Sequence, residues 1–104
     1  MILTGFADMQ AIIDAINALK MVSADPNADA DLLNKARDLH RQAQFMWDFV
    51  SAENSTGFHN PEYALKILAD STNMARQAQM LAAQSVNDMS LLEADTYYQA
   101  EVPQ

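Results

Sequence analysis

Few residues of this 104-residue chain could do chemistry, and a histidine in a loop is the foremost of them. His59 stands within Gly-Phe-His-Asn-Pro, residues 57–61, one position before a predicted helix cap. The other histidine, His40, lies in a helical pattern between Asp38 and Arg41, and we expect it at the surface or its boundary. Because neither belongs to a Glu-x-x-His or His-Glu-x-x-His motif, the sequence disfavours zinc and di-iron centres. One imidazole can still be an axial ligand to a haem held by other residues.

Composition removes several further kinds of site. The chain contains no cysteine, which excludes disulfides, thiolate metal sites, cysteine nucleophiles and covalent haem attachment within it. No serine-hydrolase elbow, phosphate loop or dinucleotide fingerprint occurs, so we expect no catalytic centre in this chain alone. Fourteen acidic against six basic residues give a formal charge of −8, which disfavours a nucleic-acid partner.

Targeting signals are also missing from the pattern. No apolar run approaches the length of a membrane-spanning helix, and we predict no membrane span. The first ten residues lack the basic region of a signal peptide.

The scarcity of glycine and proline predicts an all-α fold with long helices and short connections. Hydrophobic residues recur at helical spacing, and turn residues interrupt them at two places. We predict one helical domain over 1–104, a three-helix antiparallel bundle with a long C-terminal helical hairpin. Its helices are expected at about residues 4–23, 26–53 and 60–89, followed by a tail at 90–104.

The first helix shows a stripe with steps of three and four residues, which predicts its buried face. This stripe comprises Leu3, Phe6, Met9, Ile13, Ile16 and Leu19. Asp25 can cap the second helix with Pro26 near its first position, although Asp29 and Asp31 are rival caps. Together with Asn27 these side chains place oxygens at alternate positions, as in half of a calcium loop, but the glycine and the bidentate glutamate of that loop are missing.

The second helix carries three aromatic rings that one stripe cannot bury together. At about 100° per residue, Phe45 and Phe49 share one side and Trp47 points nearly opposite. Either this helix lies between two layers of the same core, or part of it meets a partner. The two interpretations are evenly supported by the sequence.

Residues 52–62, Ala-Glu-Asn-Ser-Thr-Gly-Phe-His-Asn-Pro-Glu, preceded by Trp-Asp-Phe at 47–49, carry a family resemblance. The segment resembles multihaem cytochromes c of the ammonia-forming nitrite reductase and hydroxylamine oxidoreductase group, in the C-terminal helical region after the last covalent haem motif. The resemblance is strongest over residues 43–82.

The resemblance implies that His59 is a distal ligand to the iron of a haem c held by residues outside this chain. It also implies that the long helices pack on a haem-bearing portion of the same or a partner cytochrome and form a homodimer interface, with Phe45, Trp47 and Phe49 as interface residues. A periplasmic location follows from it as well. No active-site residue of the reductases can be placed on this chain.

An alternative comes from a different class of protein. The chain could be a small acidic all-helical interaction module without haem, in which His59 is an ordinary loop residue and Trp47 anchors a partner.

Overall fold

The computed structural model describes residues 2–55, 57 and 60–92. Three helices occupy most of this part of the chain: α1 (Ile2–Ser23), α2 (Ala30–Ser55) and α3 (Pro61–Ser85). A short 3₁₀ helix, Met89–Leu92, follows α3. No strand occurs among these described residues, so the predicted all-α fold is confirmed.

The helices form an up-down-up bundle. Asp8 and Asp14 of α1 contact Ser71 and Arg76 of α3 in the same order, so these two helices run in the same direction. The carbonyl of Ala43, midway along α2, accepts a hydrogen bond from Ser71, midway along α3. α2 and α3 are joined by a short connection and run in opposite directions, which confirms the predicted hairpin.

The start of α2 is decided among the three rival caps. The Asp29 carboxylate accepts hydrogen bonds from the backbone N–H groups of Asp31 and Leu32, at 3.0 and 3.1 Å. Asp25 instead accepts from the N–H two residues later, which stabilises the turn before the helix. Asp29 is therefore the cap, and α2 begins at Ala30, four residues later than predicted.

The ends of α3 follow from local chemistry too. Asn60 caps its start by accepting a hydrogen bond from the N–H of Tyr63 at 3.2 Å, and Pro61 occupies the first turn, as the sequence predicts. The helix ends at Ser85 rather than near residue 89. Asn87 adopts φ +53°, a left-handed conformation that asparagine tolerates better than most residues and that stops the helix.

The predicted inner face of α1 is partly wrong. Phe6, Met9 and Ile13 are exposed, and only Leu19 of the stripe is fully buried in the described part, with Ile16 packed at the edge of the core. Phe6, Met9 and Ile13 are therefore largely in contact with solvent, although Phe6 and Met9 also line a pocket beside Trp47 of α2.

Small residues explain this rotation of α1. Its inner face includes three fully buried alanines, which belong to the same core cluster as alanines of α2 and α3 and allow close helix contact. The buried apolar residues of α1 are Ala11, Ile12, Ala15, Ala18, Leu19 and Val22. Asp8 and Asp14 are buried on the same side because Ser71 and Arg76 provide polar partners. A period of three and four residues marks an apolar face, but it cannot tell whether that face meets this chain or another.

A second, smaller hydrophobic group lies where α2 ends and α3 begins. Val50, Ala64 and Leu68 are buried there. Trp47 packs against both this group and the main core, so its ring joins the two.

The capping assignment predicts unequal effects for two neighbouring aspartates. Asp29→Ala should lower the free energy of unfolding by about 1 kcal/mol, because two N–H groups lose their acceptor. Asp31→Ala is the matched control and should cost about 0.3 kcal/mol, since it removes only a first-turn charge. Urea unfolding followed by circular dichroism measures both, and equal costs would contradict the assignment.

Candidate functional site

His59, the predicted iron ligand, lies outside the described residues, but both flanks of its loop are defined. Gly57 adopts φ +81° and its N–H donates to the carbonyl of Asn54 at 3.2 Å. Asn60 caps α3 on the other side. This left-handed conformation of Gly57 is one that a residue with a Cβ rarely adopts.

An apolar pocket is lined in part by Asn54, three residues before Gly57 of this loop. It has a volume of about 320 Å³ and opens between the start of α1 and the end of α2. Phe6, Met9, Trp47 and Leu68 provide apolar surface, and Asn54, which bonds Gly57, lies at its rim. Its lining suits an apolar side chain better than a charged ligand.

The three predicted interface rings separate onto two sides of α2. Trp47 points into the bundle, and a Cβ placed on Gly5 would lie 3.8 Å from its ring. Phe45 points outward and is 70% exposed. The geometric argument that one stripe cannot bury all three rings is thus matched by the structure, while an interface role remains a prediction.

Phe45, Phe49 and Tyr63 form what we call the aromatic face. The rings of Phe49 and Tyr63 meet edge to face, with centroids 6.4 Å apart and an interplanar angle of 76°. Together with Met46 and Ile67, the three rings line a shallow pocket of about 330 Å³ between α2 and α3. The face is open to solvent within the described part of the chain.

Phe6, Met9 and Ile13 form a second exposed apolar surface, which we call the α1 outer face. Phe6 is 59% exposed, and all three residues lie within two turns of one another. This 11.5 kDa chain therefore has two exposed apolar faces, because alanines make up much of its core and several large apolar side chains lie outside it. Exposed patches of this kind mark interaction sites.

Two buried carboxyl groups were not singled out by sequence reasoning. Asp14 accepts hydrogen bonds from Arg76 at 2.7 Å and Gln10 at 2.8 Å. Asp8 is fully buried and contacts the hydroxyl of Ser71 at 2.6 Å. Burial raises the pKa of Asp8, and the hydroxyls of Ser71 and Thr72 oppose this in part. The sequence does not reveal that Asp8 and Asp14 are buried, because aspartates on the exposed face of a helix occur with the same spacing.

His40 is half-buried rather than fully at the surface. Burial lowers the pKa of its imidazole, and the backbone of Ile12 opposes this in part. Its Nε2 is buried without a hydrogen-bond partner in the described structure. A neutral imidazole is the form that this position favours.

No group of three potential metal ligands occurs among the residues that the structure describes. Within the same residues, no helix is long and apolar enough to cross a membrane. What the described residues offer is exposed apolar surface, together with defined conformations at Gly57 and Asn60.

Comparison with known proteins gives a consistent match. The family model for cytochrome c552 matches residues 5–102. Cytochrome c nitrite reductase subunit NrfA of Nitratidesulfovibrio vulgaris (strain Hildenborough) is 40% identical over 83 residues, covering 76% of this chain and 16% of the relative. Cytochrome c-552 of Parabacteroides distasonis is 36% identical over 59 residues, covering 57% of this chain and 12% of the relative. No solved structure matches significantly. The chain therefore spans a small part of each relative's length.

Trp47 points into the bundle and Phe45 points outward, so we predict that their substitution lowers stability by unequal amounts. Trp47→Ala should lower the free energy of unfolding by about 3 kcal/mol, because the ring joins both hydrophobic groups. Phe45→Ala should change it by less than about 0.5 kcal/mol, since that ring contacts mainly solvent. Chemical unfolding measures both, and a large cost for Phe45→Ala in the monomer would contradict the described placement.

Proposed function

The chain belongs to the cytochrome c552 family, and on that premise we propose that it is the C-terminal helical region of a multihaem cytochrome c oxidoreductase resembling nitrite reductase. In this proposal it serves as scaffold and dimerisation element and supplies His59 as a distal ligand to one haem iron. The remainder of the cytochrome holds the haems and the reaction centre. A periplasmic location is part of the same proposal.

The observation that carries the proposal is the outward surplus of apolar side chains. The α1 outer face and the aromatic face both expose large hydrophobic residues, while alanines fill much of the core. Leaving such surface in water is unfavourable by roughly 25 cal/mol per Å². A haem-bearing portion and a second copy would each remove part of it from water.

The absence of cysteine fits a non-covalent relation to haem. Without a thiol, the 104 residues cannot form the thioether bonds of haem c. Axial ligation by His59 is compatible with this composition, because one neutral imidazole nitrogen is enough to ligate a haem iron. Gly57 and Asn60 define the backbone on each side of His59. A bound haem would supply electron transfer, and His59 would help set its potential.

The ligand role predicts a spectroscopic change for one histidine and not for the other. In the haem-bearing cytochrome assembled with this chain, His59→Ala should convert one haem from six-coordinate to five-coordinate iron, because the distal nitrogen is lost. Optical and electron paramagnetic resonance spectra report this change. Added imidazole should restore the six-coordinate signal.

The matched control is His40→Ala, which removes the other histidine from a helix. Its haem spectra should equal those of the unsubstituted protein. An unchanged spectrum in His59→Ala would remove the ligand role, while the family assignment would stand.

The dimerisation role predicts weaker self-association when the aromatic face is made polar. Phe45→Ser should raise the dimer dissociation constant at least about tenfold, as expected for an anchoring aromatic residue. Because each copy carries a formal charge of −8, raising the salt concentration should strengthen the dimer. Sedimentation velocity over a range of concentrations and salt measures both effects.

Leu65→Ser is the matched control, since Leu65 is an exposed apolar residue of α3 outside the aromatic face. Equal effects of the two substitutions would contradict the assignment of this interface.

The exposed aromatic face also favours the second candidate, an acidic all-helical interaction module without haem. That module would associate through Phe45 and its neighbours but would leave every haem spectrum unchanged. A Cys-x-x-Cys-His sequence encoded directly upstream of this chain supports the cytochrome function, and an unrelated reading frame there supports the module.

A further inference from the structure

A buried carboxyl, a hydroxyl and a carbonyl connect the three helices in one line. Asp8 of α1 is fully buried, and its Oδ1 lies 2.6 Å from the Oγ of Ser71 on α3. The same Oγ lies 2.9 Å from the carbonyl oxygen of Ala43 on α2. Both distances lie within the hydrogen-bonding range for oxygen atoms.

The number of hydrogens distinguishes two protonation states of this line. A serine hydroxyl carries one hydrogen and a carbonyl carries none, so with an ionised Asp8 the single hydrogen of Ser71 serves both contacts. Neither contact is then a full hydrogen bond. If Asp8 is protonated, it donates to Ser71, Ser71 donates to Ala43, and each contact contains one hydrogen.

The surroundings of the second carboxyl oxygen lead to the same answer. Oδ2 of Asp8 is buried and has no hydrogen-bond partner in the described structure. The Thr72 hydroxyl lies close enough to Asp8 to lower its pKa, but the hydrogen bond that it forms in the structure goes to the carbonyl of Leu68 at 2.8 Å. An ionised carboxylate with one bare buried oxygen is much costlier than a neutral acid in the same place.

No described cation compensates a charge on Asp8. Arg76, the arginine that reaches the interior, pairs with Asp14 at 2.7 Å. The charged or titratable groups within six residues of Asp8, Ala43 and Ser71 on the three helices are Asp14 on α1, Arg37, Asp38, His40, Arg41 and Asp48 on α2, and Lys66, Asp70 and Arg76 on α3. None of the ion pairs that the structure gives for them includes Asp8.

We propose that Asp8 is a neutral carboxylic acid whose proton fastens α1 to both helices of the hairpin, and that losing this proton at higher pH loosens the start of α1. The hydrogen-bonded residues Asp8, Ser71 and Ala43 are called the proton clasp below. Ionisation removes the hydrogen between Asp8 and Ser71 and leaves a charge among alanines. The first two turns of α1, including Phe6 and Met9, are what the clasp holds against α2.

The direction of the pH effect follows from the shifted equilibrium. Burial raises the pKa of Asp8 above the 3.8 of a free aspartate. The clasp therefore contributes fully below the ordinary pKa and is lost as pH rises through the folded-state pKa. His40 acts oppositely, because burial lowers its pKa and its stabilising contribution is lost as pH falls.

Carbon-13 NMR of the aspartate carboxyls in the full chain tests the protonation directly. At about pH 5, a free aspartate is more than nine-tenths ionised. We expect the Asp8 resonance to keep the chemical shift of a protonated acid at that pH and to move at higher pH. An ionised Asp8 at about pH 5 would overturn the proposal without any variant having to fold.

Trp47 fluorescence tests the loosening, since this is the only tryptophan and its ring lies beside Gly5 of α1. As pH is raised, emission should shift to longer wavelength when Asp8 ionises. Asp8→Asn should not show the shift, because the amide donates to Ser71 at every pH. His40→Gln should retain it. Equal curves for the unsubstituted chain and Asp8→Asn would overturn the loosening.

Discussion

Close contact between α1 and the α2–α3 hairpin constrains the rest of this molecule. Alanines on all three helices allow the backbones to approach, so little room remains between them for large side chains. Phe6, Met9 and Ile13 of α1 are consequently turned outward, while Asp8 and Asp14 are turned inward. Both the exposed apolar surfaces and the buried polar contacts follow from the close packing of α1 against the hairpin.

The buried polar groups give this small core a defined register. Alanine faces slide past one another at little cost, because they lack the interdigitating shape of larger residues. Asp14 paired with Arg76, and Asp8 bonded to Ser71, fix α1 against α3 at two points about two turns apart. Buried polar contacts often contribute more to specificity of packing than to net stability, and this bundle offers a case in which both partners come from distant parts of the chain.

The sequence was sufficient for the helices, the hairpin and the local chemistry of the turns. Asn60, Pro61 and Gly57 act where their intrinsic preferences place them. The sequence was insufficient where more than one cap, or more than one helix face, satisfied the same local pattern. Three aspartates could cap α2, and only the path of the chain before the helix selects Asp29. The stripe on α1 has the spacing of a buried face, but small residues on the other side win because they permit closer packing. His59 was found through family resemblance, since a loop histidine has no periodic signal.

One backbone contact links the hairpin at the end opposite its loop. The N–H of Asp29 donates to the carbonyl of Ser85 at 2.8 Å, which joins the beginning of α2 to the end of α3. Residues 56–60 connect the other ends of the two helices. The hairpin of α2 and α3 is thus joined at one end by the chain and at the other by this hydrogen bond. We therefore expect partial opening of the molecule to begin with α1 leaving the hairpin, which would expose the buried Asp8 and Asp14 to water.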